Sequence, residues 1–87
     1  MATDDKLLDA FCDTLWLEDG LSRNTLQSYR RDLRQFAAWL DAKHRKGLID
    51  AEHADIQAYL GYRFARKARA SSAARLLSSL KRFYRHL

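Results

Sequence analysis

The 87-residue sequence contains no proline, only three glycines and a single cysteine. Because strands and their hairpins usually need glycine or proline at the turns, this scarcity predicts an all-helical chain. A lone cysteine, Cys12, excludes an intrachain disulfide and favours a reducing compartment. No stretch approaches the ~18 consecutive apolar residues that a membrane-spanning helix needs. We therefore expect one small, all-α domain in the cytoplasm, with no membrane partner.

Positive and negative charges alternate in blocks along the chain, for a total of +5. Residues 1–20 carry a net charge of −5 and residues 21–46 one of +5, followed by −3 over residues 47–62 and +8 over residues 63–87. These blocks predict two basic helices that share a positive face, with the acidic segments located elsewhere. Basic faces on two helices are typical of a nucleic-acid-binding surface, although charged side chains also solvate ordinary helix faces.

Apolar residues recur at helical spacing in four segments. The pattern predicts helices over about residues 4–18, 22–43, 54–66 and from residue 71 or 72 to the end. Expected caps are Thr3, Ser22, and either Asp50 or His53, and glycines at 20 and 47 are expected to lie beyond the first two helices. Leu21 and Leu26 have the spacing of a hydrophobic staple. The predicted core faces include Leu33, Phe64, Leu77 and Leu87.

The sequence offers no arrangement typical of catalysis or metal binding. His44, His53 and His86 are scattered without i, i+4 spacing, and the single cysteine is distant from all three. The tyrosines lack the gathered arginines and histidine or lysine that a nucleophile for phosphate would need. We therefore expect no catalytic activity from this chain alone, no metal, no cofactor and no small-molecule ligand.

Residues 20–33 read Gly-Leu-Ser-Arg-Asn-Thr-Leu-Gln-Ser-Tyr-Arg-Arg-Asp-Leu. They resemble the GLS-x-NT-x-x-x-Y-x-RDL segment of the N-terminal, core-binding domain of tyrosine site-specific recombinases, particularly those of the Xer type. Residues 15–20, 32–40, 54–60 and 71–84 resemble further segments of that domain in the same order. The resemblance covers nearly the whole chain and implies a compact, orthogonal four-helix bundle of the SAM-like type.

The same resemblance implies a function in DNA recombination. Residues 1–87 would be the core-binding, DNA-binding domain of a longer protein, and the catalytic domain would lie outside this chain. Such domains clamp double-stranded DNA at the core site during site-specific recombination, DNA integration and chromosome dimer resolution, which serve chromosome partition and cell division. The implied partners are double-stranded DNA and other recombinase subunits, in a heterotetramer on the DNA, and the implied location is the nucleoid.

The family's DNA-facing positions fall on the second and fourth helices of this sequence. From the second helix the resemblance implies Arg23, Asn24, Thr25, Tyr29, Arg30 and Arg31. From the fourth helix and its lead-in it implies Arg69, Ser71, Ser72, Arg75, Ser78, Ser79 and Arg82. Tyr29 also lies on an apolar stripe, so packing competes with its DNA role. Two alternatives stay open: the same domain of a phage or transposon integrase, and a helical module that binds an acidic protein partner.

Overall fold

A computed structural model describes residues 2–66 and 70–87. These residues contain four α-helices and no strand, which confirms the predicted all-α class. The helices are α1 (Ala2–Thr14), α2 (Arg23–His44), α3 (His53–Ala65) and α4 (Ala70–His86). A π-helical turn, Leu15–Asp19, continues α1, and a 3₁₀ turn, Leu48–Asp50, lies between α2 and α3.

The start of α2 follows the sequence prediction. Ser22 has an extended backbone, and its hydroxyl accepts a hydrogen bond from the Thr25 amide at 3.2 Å. Gly20 has a φ of 62°, a left-handed conformation in which a side chain would be strained, and it ends the π-helical turn. Leu21 and Leu26 are both partly buried against the core. The chain direction into α2 is therefore set by local interactions.

Other helix ends differ from the predictions by a few residues. α1 begins at Ala2, so Thr3 lies inside it rather than at its cap. α2 ends at His44, and its C-cap, Arg45, has a φ of 55° and donates its amide to the Asp41 carbonyl at 3.1 Å. Gly47 follows two residues later. A hydrogen-bonded arginine thus takes the left-handed position that the sequence pattern assigned to glycine.

The cap of α3 is Glu52, and neither Asp50 nor His53. Glu52 and Asp55 form a reciprocal capping box, in which the Asp55 carboxylate accepts from the Glu52 amide at 2.9 Å. Lys46 also donates to Asp55 at 2.9 Å. The Glu52 amide, and then Lys46, lower the pKa of Asp55 below its ordinary value. The carboxylate form of Asp55 thus stabilises the start of α3.

The core lies around α2, which packs against the other three helices. Leu33, Phe36 and Leu40 of α2 are completely buried. Phe11 of α1 and Phe83 of α4 meet edge to face, with ring centroids 5.3 Å apart. No helix of the described ranges is both long and apolar enough to cross a membrane.

The prediction of burial is wrong for three residues. Phe64 is 60% exposed, Leu87 51% and Leu77 37%. Phe64 lies in the last turn of α3, and Leu87 follows α4. Helical spacing identifies the face of a helix, but it does not tell how far along that face the neighbouring helices extend.

A polar anchor connects both ends of the chain to the 3₁₀ turn. The buried carboxylate of Asp4 accepts a hydrogen bond from the Leu48 amide at 3.0 Å. The Tyr84 hydroxyl donates to the Leu48 carbonyl at 2.8 Å. Burial raises the pKa of Tyr84, so this hydroxyl keeps its proton. The anchor holds α4 in place relative to α1.

Candidate nucleic-acid interface

A cleft of about 430 Å³ lies between the first turns of α2 and the middle of α4. We call it the α2–α4 cleft. Its walls are Asn24, Thr25, Ser28 and Tyr29 of α2 and Ala74, Arg75 and Ser78 of α4. It therefore brings together five of the residues predicted from the sequence: Asn24, Thr25, Tyr29, Arg75 and Ser78. The walls are built mainly of short side chains, which leave room for a bulky ligand such as a sugar–phosphate backbone.

The α2 side of this cleft is the N-terminus of a 22-residue helix. Amides in the first turn of a helix have no acceptor within it, and the helix dipole adds partial positive charge there. Ser22 takes up the Thr25 amide, and its oxygen also lies 2.9 Å from the Thr25 hydroxyl. The Asn24 side chain lines the cleft beside the other first-turn amides.

The α4 side of the cleft contains one arginine that is held rigidly. Arg75 donates from Nε to Oδ2 of Asp32 at 2.8 Å and from Nη2 to Oδ1 at 3.1 Å. The Asp32 side chain is only 5% exposed, whereas that of Arg75 is 35% exposed. The hydrogen bond to Asp32 raises the pKa of Arg75 above its usual range. Arg75 is therefore a cation that is fixed along one edge and partly exposed.

A second cleft, of about 570 Å³, shares Ser78 with the first and follows α4 toward its C-terminus. Arg82 lies in this cleft and donates to Asp19 at 3.2 Å, and both side chains are well exposed. Lys81 and Arg85 also line the cleft and are exposed. Neither makes an ion pair within the described residues. The two clefts adjoin along α4, with Lys81 and Arg85 at the far end.

Arg30 and Arg31 line a different groove, of about 350 Å³, on the outer face of α2. Arg30 pairs with Asp9 of α1, and this hydrogen bond raises the pKa of Arg30. Arg34 pairs with Asp5 at 3.3 Å. The expectation that the acidic segments lie apart from the basic helices is therefore wrong for α1. Part of the positive charge of α2 is compensated inside the molecule.

Residues 8–87 match the family model described as phage integrase, N-terminal SAM-like domain. The chain belongs to this family. It is 51% identical over 83 residues to tyrosine recombinase XerD of Shewanella oneidensis, an alignment that covers 95% of this chain and 27% of that protein. The XerD proteins of Haemophilus ducreyi and Pseudomonas aeruginosa are each 45% identical, over 95% and 92% of this chain and 27% and 26% of theirs. No solved structure matches significantly.

The SAM-like domain spans about a quarter of the length of these curated relatives. The family match confirms the resemblance seen in the sequence motifs and the expected fold. It also agrees with the expectation that this chain has no catalytic activity alone, because the match is to an N-terminal domain and not to a catalytic one.

The remaining predicted site residues of the SAM-like domain occupy several environments. Arg23 is exposed in the first turn of α2. Ser79 is completely buried and donates its hydroxyl to the Leu76 carbonyl at 2.7 Å, so we remove Ser79 from the proposed surface. Tyr29 is largely buried, yet its edge lines the α2–α4 cleft. Arg69 lies outside the described residues, as do the side chains of Ser71 and Ser72.

Sequence reasoning missed several residues of this surface. Ser28 and Ala74 line the α2–α4 cleft four residues from Asn24 and Ser78, respectively, so helical spacing would have identified both. Lys81 follows Ser78 at the same kind of spacing. Asp32 carries no local signal, because its partner lies 43 residues away. Among the described ranges, no group of histidine, cysteine and acidic residues is arranged to hold a metal ion.

Proposed function

We propose that this SAM-like domain is the DNA-binding module of a Xer-type tyrosine recombinase. In this proposal it clamps the core recombination site during site-specific recombination and chromosome dimer resolution. The observation that carries the proposal is the α2–α4 cleft, which combines a helix N-terminus with a fixed arginine and short polar side chains. Similarity to proteins named tyrosine recombinase XerD supports the same assignment.

Most contacts in this mechanism are made to phosphate. One DNA backbone approaches the start of α2, where Arg23, Asn24 and the first-turn amides supply donors. Arg75 and Ser78 contact the same backbone from α4. Such contacts hold the duplex in register without reading its sequence, which leaves cutting and rejoining to another domain.

The proposal includes the partners and the location. The SAM-like domain would act on double-stranded DNA together with other recombinase subunits, in a heterotetramer, at the nucleoid. Lys81 and Arg85 extend the positive surface along α4 and favour a long polyanion over a compact anionic ligand.

Titration of a labelled duplex at several salt concentrations tests the proposal. Affinity should fall steeply with salt, because bound counterions are released as phosphates are neutralised. Arg23→Ala should weaken binding about fivefold and reduce the salt slope by about 0.9, the value for one phosphate contact. Lys43→Ala is the matched control, since it removes one exposed charge from the same helix about 30 Å away. It should leave the affinity nearly unchanged.

Two results would contradict the proposal. One is the absence of any duplex binding at low salt. The other is equal affinity for the duplex and for a polyglutamate of the same charge, which would favour a module that binds an acidic protein partner. Equal effects of Arg23→Ala and Lys43→Ala would place the DNA somewhere other than the α2–α4 cleft.

A further inference from the structure

Among the residues that the structure describes, two aspartate–arginine pairs connect α4 to the rest of the bundle, and they differ in burial. Asp32–Arg75 joins α2 to α4 through two hydrogen bonds to a carboxylate that is 5% exposed. Asp19–Arg82 joins the end of the π-helical turn to α4 through a single bond at 3.2 Å, with both side chains exposed. Only the first pair lies at the α2–α4 cleft.

The geometry of the buried pair leaves Arg75 prepared for a second partner. A guanidinium has five N–H donors, and Asp32 accepts from two of them, on the edge formed by Nε and Nη2. The other three belong to Nη1 and Nη2. Because both carboxylate oxygens are engaged, Asp32 fixes the plane of the guanidinium and not merely its position.

We propose that Asp32 is a positioning residue for DNA, which acts by holding Arg75 at the α2–α4 cleft in the orientation that a phosphate needs. This inference rests on the proposed function. Asp32 itself does not contact DNA in this arrangement, since its side chain is only 5% exposed. Because the Arg75 side chain is already fixed in the folded protein, DNA binding does not incur the entropy cost of ordering it.

If only charge mattered, removal of the Asp32 carboxylate would have the opposite effect on DNA affinity from the one that positioning predicts. A carboxylate near a phosphate-binding surface repels DNA, so its removal should strengthen binding in a purely charge-driven interface. If Asp32 positions Arg75, its removal should weaken binding even though the net charge becomes more positive. The sign of the effect therefore distinguishes positioning from simple charge.

The experiment measures duplex affinity of the 87-residue chain at one moderate salt concentration and low temperature, with folding of every variant verified by circular dichroism. Asp32→Asn should weaken binding about fivefold, because Arg75 loses its fixed orientation for a charge-assisted hydrogen bond. Asp19→Asn is the matched control. It makes the same change of charge at the exposed pair and should strengthen binding about twofold.

Two further variants distinguish a direct effect on DNA binding from damage to the fold. Arg75→Lys keeps both charges but lacks the planar fork, and it should weaken binding about fivefold at unchanged net charge. In an Arg75→Ala background, Asp32→Asn should strengthen binding, because only repulsion by the carboxylate is left to remove. A variant that merely damaged the fold would weaken binding in both backgrounds.

The inference is overturned if Asp32→Asn binds duplex as tightly as the unsubstituted chain or more tightly, or if Arg75→Lys binds normally. It is supported if Asp32→Asn weakens binding in the otherwise unsubstituted chain but strengthens it in the Arg75→Ala background. Failure of the unsubstituted chain to bind duplex at low salt would overturn the proposed function itself, which separates the two failures.

Discussion

α2 meets α4 along one seam and α1 along another, and arginine–aspartate pairs cross both seams. At the α4 seam, Asp32 is buried and holds Arg75 through two hydrogen bonds. At the α1 seam, the Arg34–Asp5 pair is about half exposed on both sides. The same two residue types therefore serve different purposes. Burial of the carboxylate makes the first pair a structural and orienting element, whereas the second mainly compensates charge.

The comparison also separates the charge on a helix from the charge available to a ligand. Arg30 and Arg34 belong to a basic segment, but acidic side chains of α1 neutralise them. Arg23, Lys81 and Arg85 are exposed without such compensation among the described residues. Lys81 and Arg85 line the second cleft, and Arg23 lies at the start of α2. Arg30 and Arg34 instead lie on the outer groove beside the exposed Arg31.

The largest loss of stability is expected when a core side chain between the two seams is truncated. Leu33 of α2 is completely buried, so Leu33→Ala should lower the free energy of unfolding by about 2–5 kcal/mol through lost burial and a cavity. Urea denaturation followed by circular dichroism measures the change. Leu17→Ala, at a site 79% exposed, is the control and should cost under about 0.5 kcal/mol. Similar losses for both would mean that α2 is not the centre of the core.

The second-largest loss of stability is expected when the Asp32–Arg75 pair at the α4 seam is broken. Arg75→Ala leaves the Asp32 carboxylate buried without its partner and should cost about 2 kcal/mol, less than the roughly 3–5 kcal/mol of a fully buried pair because Arg75 is partly exposed. The same urea measurement on Arg82→Ala should give under about 1 kcal/mol, since that pair is exposed. Equal losses for the two arginines would show that the difference in burial has no energetic consequence.

The smallest effect is expected at the α1 seam. Arg34→Ala removes an exposed ion pair with Asp5 and should change the free energy of unfolding by about 0.5 kcal/mol or less. The effect should disappear in about 1 M salt, where the screening length falls to ~3 Å. Urea titrations at low and high salt measure it. A loss as large as that of Arg75→Ala, or one independent of salt, would remove the distinction between the two seams.

Much of the fold was predictable because the decisive interactions are local. Ser22 caps α2 through a residue three positions away, and Gly20 needs only its own backbone freedom. Part of the candidate site was implied by the family resemblance, which assigned Asn24, Thr25 and Ser78 to the DNA-facing surface, and all three line the cleft. The burial of Ser79 and the exposure of Phe64 were not predictable, because neighbouring helices decide how much of each face is covered.

The sequence by itself determined the all-α class, the capped start of α2, the apolar stripes and the alternating blocks of charge. Each depends on residues no more than a few positions apart, where backbone geometry dictates the contact. Only the tertiary structure decided which arginines are compensated and which remain available. Asp32 and Arg75 are 43 residues apart, and Arg30 and Asp9 are 21 apart. Pairs at such separations form only because the packing of the core brings the helices together.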